Sequence, residues 1–153
     1  MKKQFVLFST VFIAINFLLS SCQQDDNLVL KTKTQLATQG SWSFEKATTG
    51  SPATDISASI PACYKDNVVT FSASMSGAVQ NTIVCTPTDT TPATFTWSFQ
   101  SGETVLALNA PLFPGGSTNF TIVSLTETSL VISQDVIVPP TVTPTNIVFY
   151  YKH

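Results

Sequence analysis

The sequence has no arginine, and only 10% of its 153 residues are charged. Seven lysines stand against nine acidic residues, which gives a net charge of −2. Proteins that bind nucleic acids present a basic surface to the phosphates, so we expect no nucleic-acid partner. Glycine is also scarce, with six residues, and no glycine-rich phosphate-binding motif is present.

Histidine occurs once, at His153, and we expect poor order at this position near the end of the sequence. A Ser-His-Asp or Cys-His arrangement on a fixed scaffold is therefore not expected. The nine carboxylates are scattered mostly through predicted loops, which does not favour a glycosidase-type pair. We accordingly predict no enzyme activity, no catalytic residue and no cofactor.

The N-terminal segment is the one long apolar run. A short positive stretch with Lys2 and Lys3 precedes residues 5–19, which are almost all apolar. A run of this length falls short of the roughly 20 residues that a membrane-spanning helix needs, so it predicts a cleaved signal peptide over residues 1–21. Residues 22–37 are predicted to form a tether with one helical turn near 34–37, and residues 38–153 to form the folded domain.

The end of this leader reads Leu19-Ser20-Ser21-Cys22. It resembles the lipobox of bacterial lipoproteins, in which the cysteine is acylated and begins the mature chain. Asp25 and Asp26 follow, and an acidic pair here resembles the surface-export signal of Bacteroidota lipoproteins. The resemblance implies an outer-membrane lipoprotein whose lipid-bearing Cys22 is its membrane contact, on the periplasmic face or at the cell surface.

Helix formers are scarce beyond the leader, whereas Thr, Ser and Val are abundant, as is typical of sheet proteins. Apolar residues alternate with polar ones in most of the strand-like segments, which places each apolar set on one face of a sheet. The eight predicted strands lie near residues 41–45, 69–75, 79–85, 94–99, 105–108, 120–122, 129–133 and 147–151.

The predicted connections contain no helical run long enough for a parallel crossover, so the sheet is expected to be antiparallel. Tight turns are predicted at Ser76-Gly77, Ser101-Gly102 and residues 126–128, and longer loops at 47–62, 87–92, 111–117 and 135–144. Sequential strands then lie side by side, and closure into an eight-stranded up-and-down barrel removes both free edges. A two-sheet β-sandwich fits the same spacing and remains the alternative.

Cys63 and Cys85 are the two thiols left after the leader and Cys22. In an exported protein they favour a disulfide over a free pair, and without a nearby histidine or further cysteine they do not favour zinc. The predicted hairpin raises a difficulty, however. If its turn is centred on Gly77, Cys85 lies opposite about Val69, and residues 61–66 must fold back over the barrel end to bring Cys63 to its partner.

Gly40-Ser41-Trp42 looks like the Gly-x-Trp signature on the first strand of lipocalins. The succession of motifs after it resembles the lipocalin-like domains of Bacteroidota lipoproteins over residues 38–152. Those motifs are Cys63-x-Lys65-Asp66-Asn67, Phe71, Gly77, Cys85, Thr96-Trp97-Ser98-Phe99, Leu125-Thr126-x-Thr128-x-Leu130-Val131 and Tyr150-Tyr151. The resemblance implies a calycin-type barrel that is closed at one end and has a hydrophobic interior.

The sequence departs from this family in its short predicted strands and at one charged position. Lipocalins place an arginine of the last strand over the first-strand tryptophan, and here the nearest cation is Lys152. Eight aromatic side chains alternate along the predicted strands and are expected either to line a pocket for a small apolar ligand or to fill the barrel as core. They are Trp42, Phe44, Phe71, Phe95, Trp97, Phe99, Phe120 and Phe149.

Two functions follow from the two folds. A barrel predicts a lipid-anchored module of the cell envelope that holds a small hydrophobic ligand. A sandwich predicts an adhesion or scaffold module that acts through its outer face and loops. Separately, Asp89-Thr90-Thr91 resembles the O-glycosylation motif that Bacteroidota use on exported proteins, which makes Thr90 a candidate glycan site.

Overall fold

The computed structural model describes residues 30–85, 93–113, 116–137 and 143–153. The unit Lys31–His153 contains all the elements named here. They are α1 (Lys33–Thr38), β1 (Ser41–Thr49), β2 (Thr54–Asp55), a 3-10 turn (Ser57–Ser59), α2 (Ala62–Lys65), β3 (Val68–Phe71), β4 (Ser76–Gln80), β5 (Ala93–Gln100), β6 (Val105–Leu108), β7 (Asn119–Leu125), β8 (Ser129–Ile137) and β9 (Pro144–Lys152).

The sheet closes on itself. Each strand from β3 to β8 pairs antiparallel with the next one along the chain, and β1 pairs with both β3 and β9. The closing ladder runs from Ser43 opposite Lys152 to Thr49 opposite Ile147. The predicted eight-stranded antiparallel barrel is therefore confirmed, and the β-sandwich alternative is excluded. The remaining strand, β2, is not part of the eight-stranded barrel. It has two residues, and they pair with the end of β1.

The two ends of the barrel differ. At one end lie α1, the start of β1 and three short turns, at residues 72–75, 101–104 and 126–128. The turns at 101–104 and 126–128 agree with the sequence prediction, and Ser101, Gly102 and Glu103 in the first of them have positive φ angles. The long connections lie at the other end, called the mouth here, since antiparallel strands alternate their ends. They include the 3-10 turn and α2.

One predicted turn is wrong. The β3–β4 turn occupies residues 72–75, where the Met75 amide donates to the Ser72 carbonyl, and Gly77 lies within β4. Phe71 pairs with Gly77 and Val68 pairs with Gln80. β3 therefore ends at Phe71, four residues before the predicted end. The predicted strand over residues 79–85 ends at Gln80, and Ile83 is 49% exposed beyond it.

The shifted register explains the disulfide. Continuing the Val68–Gln80 pairing outward by five residues brings position 63 opposite position 85. Cys63, in α2, and Cys85 are bonded, with their Cα atoms 5.2 Å apart. The predicted bridge is confirmed, and the expected mismatch with Val69 came only from the misplaced turn.

Bulges reverse the alternation in two strands. The β1–β9 register shifts between Phe44 and Lys46, so Trp42 and Phe44 face inward before the bulge and Ala47 faces inward after it. The β7–β8 register shifts between Ile122 and Ser124, which leaves Val123 57% exposed. β8 also extends to Ile137, so the predicted loop 135–144 begins later than expected.

α1 covers one end of the barrel and buries Ala37. Its start is fixed by a capping box: the Gln35 amide donates to Thr32 Oγ1, and the Thr32 amide donates to Gln35 Oε1. The structure thus places a helix at the predicted turn near residues 34–37. Among the described residues no helix is long and apolar enough to cross a membrane.

Candidate functional site

The eight aromatic residues predicted to face the interior come from five strands, β1, β3, β5, β7 and β9. Trp42 and Phe120 are fully buried, and Phe44 and Phe99 are partly buried against the same core. The remaining four are 6% exposed or less; they are Phe71, Phe95, Trp97 and Phe149. The structure thus gathers all eight around one interior.

A set of edge-to-face contacts orders one side of this interior. The ring centroid of Phe71 lies 5.6 Å from that of Phe95 and 5.3 Å from that of Trp97, and Trp97 lies 5.3 Å from Phe99. Such pairs contribute roughly 0.5–1.5 kcal/mol beyond their buried area. The Trp97 Nε1–H donates to the carbonyls of Ser72 and Ser76, which fixes the indole to the β3–β4 turn.

The α1 end of the barrel is sealed around Trp42. Its Nε1–H donates to the Ala37 carbonyl at 2.9 Å, which ties the first strand to the helix above it. The imidazole of His153 stacks on the indole, with ring centroids 3.8 Å apart and planes 32° apart. The position over the first-strand tryptophan, where the family pattern has arginine, is therefore occupied by His153 and not by Lys152.

His153 is held in place, contrary to the expectation of poor order. Its Nδ1 lies 2.8 Å from the Ser41 carbonyl, which can only accept, so Nδ1 carries a proton. Its Nε2 lies 3.1 Å from Gln39 Nε2 and accepts from that amide. The amide of Gln39 also accepts from Lys31 Nζ at 2.9 Å. These contacts make His153 part of the seal, and none of them is to a nucleophile.

The mouth is filled from the β6–β7 loop. Phe113 stacks on Phe149, with centroids 4.6 Å apart and planes 13° apart, and meets Tyr64 edge-on at 6.1 Å. Leu112 reaches further and lines the central gap of the barrel. The other residues around that gap are Trp42, Val69, Phe71, Leu130, Ile132 and Tyr151, and the gap has no room for a water molecule.

Sequence reasoning missed Leu112 and Phe113. Both lie in a Pro- and Gly-containing segment that was predicted only as a loop, and two adjacent apolar residues show no strand period. The signal available was the pair of bulky apolar side chains itself, inside a segment of turn residues.

A buried amide lies beside this loop. Gln134 is 5% exposed and shares the inward face of β8 with Leu130 and Ile132. Its Oε1 accepts from the Ser117 amide at 2.8 Å, whereas its Nε2 has no partner within the described structure. A Cβ at Gly116 would lie 3.0 Å from that nitrogen. Unpaired buried donors are rare, so Gln134 Nε2 marks a position where a hydrogen-bond acceptor would be favourable.

The opposite wall of the mouth is tied down twice. Besides the Cys63–Cys85 bridge, Asp66 Oδ2 accepts from the amides of Thr82 and Ile83 at 2.7 and 2.5 Å. Asn67 follows Asp66, is 9% exposed and leaves its Oδ1 unpaired within the described structure. This wall is cross-linked covalently and by charge-assisted hydrogen bonds, unlike the segment around Leu112.

Tyr151 is the buried titratable group of the interior. It is 3% exposed, lines the central gap and meets Phe44 edge-on at 6.2 Å. Burial raises the pKa of its phenol because the charged tyrosinate would lose its solvation. In the part of the chain described here, no group of three or more His, Cys, Asp or Glu side chains could hold a metal ion.

A groove of about 390 Å³ also lies outside the barrel, against β5 and β6. Thr96, Ser98, Gln100 and Asn109 give it a polar, uncharged lining, and Asn109 Oδ1 already accepts from the Thr96 amide at 2.7 Å. None of these side chains is buried with an unpaired atom. The interior is therefore the stronger candidate site.

Three predicted features, Cys22, the signal peptide over 1–21 and Thr90, lie outside the described residues. Comparison with curated proteins finds none that matches the chain. A family model described as "Lipocalin-like domain" matches residues 38–132, which is more than half of the chain. This match begins just before β1 and ends within β8. Taken with the closed eight-stranded barrel, it establishes that the chain belongs to the lipocalin-like domain family.

Proposed function

We propose that this protein is a lipid-anchored binding protein of the bacterial cell envelope whose barrel holds a small apolar molecule. The observation that carries the proposal is the interior itself. A closed barrel gathers eight aromatic side chains around one space, and a helix, Trp42 and His153 seal one end. Eight-stranded barrels of this size hold one small ligand or are just filled by side chains. The lipocalin-like family supports the ligand-binding reading.

The side chains that line the interior determine which kind of ligand would be favoured there. The side chains around the central gap are aliphatic or aromatic. Their polar atoms are the neutral phenol oxygen of Tyr151 and the indole nitrogen of Trp42, which already donates to the Ala37 carbonyl. Placing a charged group there would cost several kcal/mol of lost solvation. The favoured ligand is therefore neutral and apolar over most of its length. Because Leu112 reaches into the gap, binding also requires that side chain to move.

A fluorescent apolar probe, such as N-phenyl-1-naphthylamine, tests this binding on the full chain in mild detergent. Ile132→Phe adds volume beside the central gap, and we expect it to weaken probe binding about tenfold or more. Val123→Phe adds a ring at a position that is 57% exposed, and it should bind like the wild type. Equal loss in both variants, or no probe binding by the wild type, would count against an interior site.

Membrane attachment is proposed through acylated Cys22, at the outer membrane on its periplasmic face or at the cell surface. The support is the Leu19-Ser20-Ser21-Cys22 sequence after an apolar leader. Each buried methylene of an acyl chain contributes about 0.8 kcal/mol, so several chains on one cysteine hold a protein firmly.

Radiolabelled palmitate supplied to the producing bacterium should label the wild type but not Cys22→Ser. The variant should also leave the membrane fraction. Retention of label or of membrane attachment by the variant would contradict the proposal. Intact mass of the wild type from its native host would show in addition whether a glycan is attached at Thr90.

We further propose that the protein is not an enzyme and has no nucleic-acid partner. The imidazole of His153 is engaged with Ser41, Gln39 and the Trp42 ring, which leaves it no free nitrogen for proton transfer. The absence of arginine and the net charge of −2 disfavour a phosphate backbone as ligand.

A further inference from the structure

Residues 111–113, called the plug arm here, fill the mouth without being part of the sheet. Leu112 lines the central gap and Phe113 stacks on Phe149. Both side chains are only half-buried, whereas the strand residues they meet are almost fully buried. The plug arm thus puts an aliphatic group and a ring in the space that an apolar ligand would use.

The plug arm is held more weakly than the rest of the barrel. Within the described residues, its one backbone hydrogen bond outside the ladders runs from the Gly116 amide to the Phe113 carbonyl, inside the same loop. By comparison, the opposite wall has the Cys63–Cys85 bridge and the Asp66 carboxylate. Segments with few backbone bonds and partly exposed contacts open at low free energy, without unfolding of the core.

The side-chain amide of Gln134 is a polar group beside the loop that carries the plug arm. Its Oε1 accepts from Ser117 at the base of the loop, and its Nε2, 95% buried with the rest of the side chain, has no partner within the described structure. Its neighbour across the ladder is Ile147, which is also buried. A neutral oxygen from a ligand would satisfy this donor where water is excluded.

We infer that the plug arm is a displaceable occupant of the ligand site, and that the ligand replacing it is an apolar chain carrying a neutral hydrogen-bond acceptor for Gln134. The inference has two parts. The identity of the ligand, called the ligand half here, rests on the proposed function, whereas the opening of the plug arm does not depend on any ligand. Because only the open fraction binds, the apparent affinity is reduced by that fraction.

Thiol labelling of the full chain tests the opening directly. Leu112→Cys places a thiol on the plug arm, and Ile132→Cys places one in the strand that Leu112 meets across the gap. We expect Leu112→Cys to react at least 100-fold faster. The wild type, with Cys22 and the bonded pair, gives the background rate. Ile132→Cys loses more packing, so any destabilisation raises its rate and makes the comparison conservative. Equal labelling rates for the two variants would contradict the inference that the plug arm opens.

Two added compounds test the ligand half: 1-dodecanol, which carries a neutral oxygen, and n-dodecane, which does not. Dodecanol should raise the labelling rate of Leu112→Cys at least tenfold and dodecane clearly less. Gln134→Leu, combined with Leu112→Cys, should remove the difference between the two. If labelling is fast but neither compound changes it, the ligand half and the proposed function fail while the opening stands. If both act equally on Leu112→Cys alone, the interior takes apolar chains and the role of Gln134 is overturned.

Discussion

Tyr151 lies in the last strand with its phenol inside the barrel, where burial raises its pKa. The folded protein therefore keeps this proton at a pH where the unfolded chain, with a pKa of about 10, loses it. The resulting stability is fully present below about pH 10 and is lost as the pH rises further. One such proton changes the free energy of unfolding by about 1.4 kcal/mol per pH unit.

Urea unfolding of the wild type and of Tyr151→Phe between pH 9 and 11.5 measures this effect. We expect the wild type to lose stability more steeply above pH 10, by about 1.4 kcal/mol per pH unit, than the variant. Parallel curves for the two proteins would show that Tyr151 ionises as readily in the folded state as in the unfolded chain.

His153 is a second single residue expected to affect stability, because its ring stacks on Trp42. His153→Ala removes the ring 3.8 Å from Trp42 and the hydrogen bonds to Ser41 and Gln39. We expect a loss of about 2 kcal/mol in the free energy of unfolding and a red shift of tryptophan emission.

The matched variant for His153→Ala is Lys152→Ala, whose exposed amine lies 4.0 Å from the Glu45 carboxylate. Exposed ion pairs contribute roughly 0–1 kcal/mol, so this change should be nearly neutral. A comparable loss in both variants would mean that the backbone at residues 152–153, and not the imidazole, stabilises the α1 end.

Among the strands, β4 shows how a single glycine can be misread. Gly77 faces the interior between Phe71 on β3 and Phe95 on β5, and its missing side chain makes room for the Phe95 ring. Glycine between alternating runs is the usual sign of a turn, and it is also the sign of close approach within a strand. The sequence alone does not distinguish these, because the distinction depends on a ring from β5.

Gly77→Ala tests whether the missing side chain at this position is needed to make room for the Phe95 ring. An added Cβ would overlap the Phe95 ring and lie 2.7 Å from the Thr70 carbonyl, so we expect a loss of about 1–3 kcal/mol. Ser76→Ala, at the exposed neighbouring position, should change stability by less than about 0.5 kcal/mol. Thermal or urea unfolding distinguishes the two, and a neutral Gly77→Ala would show that Phe95 can repack.

Other strands could be predicted from the sequence where one of their faces is buried. In β5 and β9, apolar residues such as Trp97 and Phe149 alternate with polar ones, and this alternation identified both strands. The bulge at Glu45 reverses such a pattern and left no sign in the sequence. The plug arm and the stack of His153 on Trp42 arise from tertiary packing between segments distant in sequence, which periodicity does not record.

For the molecule as a whole, the Cys63–Cys85 bond constrains the unfolded chain across 22 residues of separation. Loss of the bond in Cys63→Ala/Cys85→Ala should lower the free energy of unfolding by about 3 kcal/mol, since the unfolded ensemble gains freedom. Calorimetry of the double variant and of reduced wild type should agree. The matched control is Cys22→Ser, which should unfold like the wild type. A double variant as stable as the wild type would mean that Asp66 alone fixes this wall.

The pairing of β1 with β9 sets the order in which the protein can fold. These partners are separated by about a hundred residues, since Thr49 meets Ile147 and Ser43 meets Lys152. Contacts so distant along the chain form late, which places folding in the slow, millisecond-to-second range. Until β9 arrives, one side of β1 is an unprotected edge that a second molecule could join. Slow closure therefore prolongs the time in which edge-to-edge association can occur, and the finished barrel ends this exposure because β1 is paired on both sides.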